Sequence, residues 1–99
     1  MSKHYENNKE AVKTATRLRK IAHREFIKDW KTQPCLDCGV SYPYYVMDLD
    51  HRPDTVKLAN PSSLANNGWA RERIIEELEK CDVVCSNCHR ERTQSRLPL

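Results

Sequence analysis

The chain has 99 residues, of which 38% are hydrophobic and 31% charged, and its formal net charge is +3. That length accommodates one domain with a small apolar core, the size class in which metals or disulfides supplement packing. No apolar run approaches the roughly 18 residues of a membrane span, and Met1-Ser2-Lys3-His4-Tyr5 lacks a signal peptide's hydrophobic stretch, so a cytoplasmic protein is expected.

Charge is unevenly spread. Residues 1–34 carry nine Lys/Arg against four Asp/Glu, a balance of +5, while residues 35–80 carry five against eight, a balance of −3. Residues 8–31 contain neither Pro nor Gly and predict one long helix. At 100° per residue, Val12, Ala15, Leu18, Ala22, Phe26 and Trp30 share one side of it. Lys13, Arg17, Lys20, Arg24, Lys28 and Lys31 form a stripe on the other. A solvated face is the plain explanation of that stripe. A ridge for nucleic-acid phosphates is the sharper one, because cations in single file repel one another without a polyanion.

Pro34 ends the helix, and Cys35-Leu36-Asp37-Cys38-Gly39 predicts a tight knuckle with Gly39 at positive φ. Tyr42 to Leu49 suits a strand, residues 52–67 a loop, and Trp69 to Lys80 a helix burying Ile74, Ile75 and Leu78. Asp82-Val83-Val84-Cys85 predicts a second strand, and the run from Cys88 through His89 to Arg96 a last helix. His4 and His23 have no chemical context and are expected to face solvent.

Two Cys-x-x-Cys pairs, Cys35/Cys38 and Cys85/Cys88, carry the strongest signal. Each directs two sulfurs from one turn, and two such pairs complete the tetrahedron of a structural zinc site. In a reducing compartment paired cysteines bind metal rather than oxidise. Forty-six residues separate Cys38 from Cys85, so the ion ties together the ends of an inserted unit. Cys81 is left over and is expected in the core, with replacement of one ligand as the lesser alternative.

Inside that unit lie Asp50 and His51, and His89 follows the last cysteine. Zinc pairing would let these three groups converge, provided the strand bends, since adjacent strand residues point to opposite faces. A helix N-terminus under His89 also favours a bound phosphate.

Leu49-Asp50-His51 followed by Cys85-x-Asn87-Cys88-His89, with the upstream Cys35-x-x-Cys38, resembles the HNH endonucleases and the zinc-stapled arrangement of the recombination endonuclease VII group. The resemblance covers roughly residues 33–96. It implies an α+β fold: a ββα-metal nuclease core over residues 33–99 with an inserted helix. The long basic helix of residues 1–32 would be an addition packed on that core.

The resemblance further implies hydrolysis of DNA phosphodiester bonds to 5′-phosphate and 3′-hydroxyl ends. His51 would be the general base, and Asp50 and His89 the ligands of one divalent cation (Mg²⁺, Mn²⁺, Ni²⁺ or Zn²⁺). Arg52 and Arg90, flanking these groups, become candidates for phosphate contact. Small proteins of this sort are often carried by bacteriophages. One departure is visible: the family's middle Asn, which helps orient the base, falls at Lys80. Asn87, an Asn of the 60–67 loop or a backbone carbonyl are the substitutes. The alternative reading is a non-catalytic zinc-stabilised module that binds DNA or a protein.

Overall fold

In this computed structural model the described residues are 3–98, with side chains described from residue 9 onward. They form four α-helices and a two-stranded antiparallel sheet: α1 (Lys3–Trp30), β1 (Met47–His51), α2 (Pro61–Asn66), α3 (Arg71–Leu78), β2 (Cys81–Cys85) and α4 (Ser86–Arg96). The class is therefore small α+β. Among the described residues no helix is long and apolar enough to cross a membrane.

Helix α1 meets the rest of the molecule through its last turns. Ile27 is buried, with Phe26 and Trp30 packed beside it, whereas Val12 and Leu18 are 63% and 57% exposed. The expected apolar side of the helix is thus covered only near its C-terminal end. The side chain of His4 lies outside the described residues.

His23 departs from the expectation of a solvent-facing side chain. It is buried, and neither ring nitrogen finds a hydrogen-bond partner among the described residues. Burial, with Arg71 and Arg19 nearby, lowers its pKa below the ordinary histidine value despite the opposing pull of the Trp69 backbone and Glu72. The folded state therefore binds this proton less readily than the unfolded chain, so stability falls as pH drops through about 6.5. Replacing His23 by Leu removes an unsatisfied polar group and should add about 1 kcal/mol, raising Tm by roughly 4–8 °C. It should also flatten the decline between about pH 6.5 and 5. Melting curves of both chains across that interval check this, and an unchanged or lower Tm would contradict it.

The knuckle after α1 is closed by Gly39 N–H to Cys35 O at 2.8 Å and Cys35 N–H to Val40 O at 2.9 Å, with Gly39 at φ 74° as expected. The strand begins later than residue 42. Pro43 lacks an N–H to pair, its carbonyl instead accepts from Val46 N–H at 2.9 Å, and Tyr44–Val46 winds into a 3-10 turn.

The expected loop at 52–67 contains α2. Pro61 supplies the first helical residue, and Leu64 and Ala65 are buried against Ile27, Ile74 and Leu78. Burial overrides the polar composition there. Helix α3 also turns differently from expectation, burying Ile74, Glu77 and Leu78, an i, i+3, i+4 stripe, with Ile75 only partly covered.

Strands β1 and β2 pair in the register Met47↔Cys85, Leu49↔Val83, Asp50↔Asp82 and His51↔Cys81. Cys35, Met47, Val83, Val84 and Cys85 form a second apolar cluster, and Trp30 and Leu49 join it to the first. Helix α4 lies against the sheet, and Ser86 Oγ donates to Val46 O at 2.9 Å at its first turn.

Candidate metal centre and active site

The knuckle brings Cys35 and Cys38 to the point where β2 ends at Cys85 and the first turn of α4 presents Cys88. The four Sγ atoms all lie within 4.8 Å of one another. A tetrahedral zinc with sulfurs at about 2.3 Å needs them ~3.8 Å apart, so the donor set fits with small adjustment. Backbone amides already favour charge on these sulfurs: Cys85 N–H points at Cys35 Sγ at 3.3 Å, and Cys88 N–H at Cys85 Sγ at 3.5 Å. Burial pushes the Cys35 thiol up, but amides of Cys38, Cys85 and Asp37 bring it down to about 6. The bond with Cys85, then burial and the other sulfurs, holds Cys88 well above the ordinary thiol value. Four sulfurs this close cannot all ionise unless a cation joins them. The cluster can hold a metal ion such as zinc.

Cys81 stands outside it. It is buried, its Sγ donates to Glu77 O at 3.3 Å, and burial pushes its thiol up to about 11, as suits a neutral core residue.

The structure brings Asp50 and His89 together from positions 39 residues apart in sequence. His89 Nε2 lies 3.7 Å from Asp50 Oδ1, and His89 Nδ1 lies 2.9 Å from Asp48 Oδ2. Asp48 and Asp50, two apart on β1, face α4 together. Asp50 is buried and takes both oxygens to Arg96, at 3.0 and 2.9 Å, while Arg92 Nη1 adds a bond at 3.0 Å. Burial opposes charge on Asp50, yet the guanidinium bonds of Arg96 and Arg92 hold its pKa below the usual carboxylate range.

Asp82, directly across the sheet, would repel Asp50 if left alone, and the same Arg92 Nη1 reaches it at 2.9 Å. Arg92 also grips Asp37 of the knuckle bidentately, at 2.6 and 2.7 Å.

His51 turns to the opposite face of β1. It does not join Asp50 and His89 on the α4 side as a bent strand would have allowed. Its Nε2 lies 3.0 Å from Oε2 of Glu77 on α3. Glu77 is buried, and Lys80 Nζ donates to its other oxygen. Burial again opposes charge, and the hydrogen bonds of Lys80 and His51 hold the Glu77 pKa below its ordinary value. Lys80, where the resemblance expects an Asn, thus reaches Glu77 and also Val56 O at 2.8 Å.

The cationic candidates fall into different settings. Arg52 is engaged within the protein, donating to Glu79 O at 2.6 Å and reaching Asp82 at 3.4 Å, whereas Arg90 is exposed. On α1, Lys13, Arg17 and Arg24 are exposed and Lys20 and Lys28 half-buried; Arg24 reaches Asn66 Oδ1 at 3.4 Å, and Lys28 pairs with Glu25 at 3.1 Å. Lys31, just beyond the helix, lines an open cavity of about 320 Å³ with Asp48, Asn60, Ser62, Ser63 and His89. The stripe therefore leads toward the Asp48–His89 pair.

Two carboxylates escaped the sequence reading. Asp48 was legible in principle, because it is two residues before Asp50 on a strand. Glu77 was hidden by the choice of Ile75 for the buried face. Neither a protein-family model, nor a curated protein, nor a solved structure matches the chain.

Proposed function

We propose that the chain is a zinc-stapled endonuclease of the HNH type that hydrolyses DNA phosphodiester bonds. The observation that carries the reading is the approach of His89 Nε2 to Asp50 Oδ1 at 3.7 Å, with Asp48 at the other ring nitrogen. A histidine that gives one N–H to a carboxylate and aims its remaining nitrogen at a second carboxylate has the layout of an oriented metal ligand. Asp50 and His89 are the residues that would hold a divalent cation. When bound, such a cation neutralises the scissile phosphate and stabilises the departing 3′ oxygen.

The chain's own groups would do the rest. The scissile phosphate must then bridge the two faces of β1, so that His51 takes the proton of the attacking water while Asp50 and His89 hold the cation, and the hydroxide displaces the 3′ oxygen from phosphorus. Arg96 and Arg92, which now saturate Asp50, keep that carboxylate ionised. The stripe Lys13, Arg17, Lys20, Arg24, Lys28 and Lys31, with Arg90, supplies phosphate contacts along the duplex. Arg52, bound internally, contributes less.

The saturation of Asp50 by Arg92 and Arg96 favours a second reading, in which the site is structural and the chain only binds nucleic acid through its stripe. Plasmid nicking in Mg²⁺, Mn²⁺ and Ni²⁺ separates the two. His51→Ala should slow nicking by about 100-fold or more while leaving DNA affinity within about twofold. Undiminished nicking by that variant would remove His51 as base. Absence of nicking by the unaltered chain in every cation would favour the binding module.

A further inference from the structure

We infer that Glu77 is a positioning residue for His51, holding the imidazole through Nε2 so that Nδ1 is the nitrogen that accepts a proton. This rests on the nuclease reading of His51 and adds to it the group that orients the base.

Glu77 is 1% exposed and shares the inner face of α3 with Ile74 and Leu78, both fully buried. A carboxylate in that position is costly unless both oxygens find donors. The donors are there: Oε2 meets His51 Nε2 at 3.0 Å and Leu58 N–H at 3.4 Å, and Oε1 takes the ammonium of Lys80. An ionised carboxylate only accepts, so the facing ring nitrogen must carry the hydrogen. That assigns the Nε2–H tautomer to His51 and leaves the lone pair on Nδ1.

The rotation of α3 argues against mere packing. Apolar Ile75 is left partly covered while Glu77 fills the interior, although replacing a buried ion pair with well-packed apolar residues is often neutral or stabilising. Lys80 also binds Val56 O at 2.8 Å, so the segment from Val56 to Leu58 is fastened to the Lys80–Glu77 pair that holds the His51 ring.

The test uses the full chain loaded with zinc and no added second cation. Long-range proton–nitrogen NMR of the His51 ring should show a single Nε2–H tautomer, and Glu77→Gln should give a mixture. With a nicking cation present, Glu77→Gln should lower kcat by about 100-fold while KM for plasmid stays within about twofold. A purely structural role would instead lower Tm and leave kcat alone.

An Nδ1–H tautomer in the unaltered chain overturns the inference, even if Glu77→Gln fails to fold. So does a Glu77→Gln chain that nicks at the unaltered rate. If the unaltered chain does not nick, the nuclease reading itself fails; if His51→Ala nicks normally, His51 is not the base; in either case the positioning role falls with it. If both of those controls behave and only Glu77→Gln is normal, the nuclease reading stands without Glu77.

Discussion

Cys35→Ser and Cys85→Ser should each lose the bound metal and, with it, the folded state at ambient temperature. Both thiols are nearly inaccessible and belong to the apolar cluster of Met47, Val83 and Val84. Thiolate-bound zinc contributes on the order of 10 kcal/mol or more to folding in small modules, against a total stability of roughly 5–15 kcal/mol. A serine oxygen is a poor substitute for a thiolate toward zinc. Cys81→Ser is the control: buried outside the cluster, it should keep the metal and cost only about 1–2 kcal/mol. Far-UV circular dichroism with a zinc-release dye reads both effects. A chain that keeps its melting midpoint after chelation, or a Cys35→Ser chain that melts normally, would show that the sulfurs do not staple the fold.

Arg92→Ala should cost about 3 kcal/mol, a drop in Tm of roughly 12 °C or more. One guanidinium joins three elements: Asp37 of the knuckle, Asp50 of β1 and Asp82 of β2. Removing it leaves Asp50 and Asp82 facing each other across the sheet, with Arg96 and His89 beside Asp50 and Arg52 beside Asp82 as the remaining offset. The lower end of the usual range for a buried pair applies because Asp37 remains about a third exposed. Arg92→Lys should recover little, since an ammonium cannot fork to three carboxylates.

The pH dependence has a definite sign. Arg92, more than any other group, depresses the Asp37 pKa, and Arg96 and Arg92 outweigh burial at Asp50. Carboxylates with lowered folded pKa contribute stability above their unfolded value near 4, and lose it as pH falls through the folded value. The gap in Tm between the two chains should therefore be widest near neutrality and narrow below about pH 4. Scanning calorimetry at pH 7 and pH 3 checks both magnitude and trend; a Tm within 2 °C of the unaltered chain at neutrality would contradict the bridging role.

Local chemistry carried the legible part of the sequence. Two CxxC turns, Gly39 at positive φ, a long Pro- and Gly-free helix and a short strand with two valines declare themselves within a few residues. What stayed hidden depends on tertiary contact. Nothing local says that α3 rotates Glu77 inward, because the reason is a histidine 26 residues away. Likewise α2 forms because Leu64 and Ala65 find Ile27 and Ile74, and His23 is buried because α1 is covered only near its end. At the site, Asp50, His51 and His89 were readable as residue types, and so was the placement of Asp50 and His51 on opposite faces of β1. The alternation of a strand foretold the split, and the partners Glu77 and Asp48 decide what each histidine faces.

The distance along the chain between the two knuckles also bears on how fast the molecule assembles. Bringing together ends separated by 46 residues carries a loop-closure penalty of about 3 kcal/mol, and even the innermost β1–β2 pair, His51 and Cys81, must close a loop of about 30 residues. A zinc ion captured by the four cysteines would offset that penalty early, and the search would become partly bimolecular. Refolding should then speed up as free zinc rises, until chelate formation is no longer the slow step.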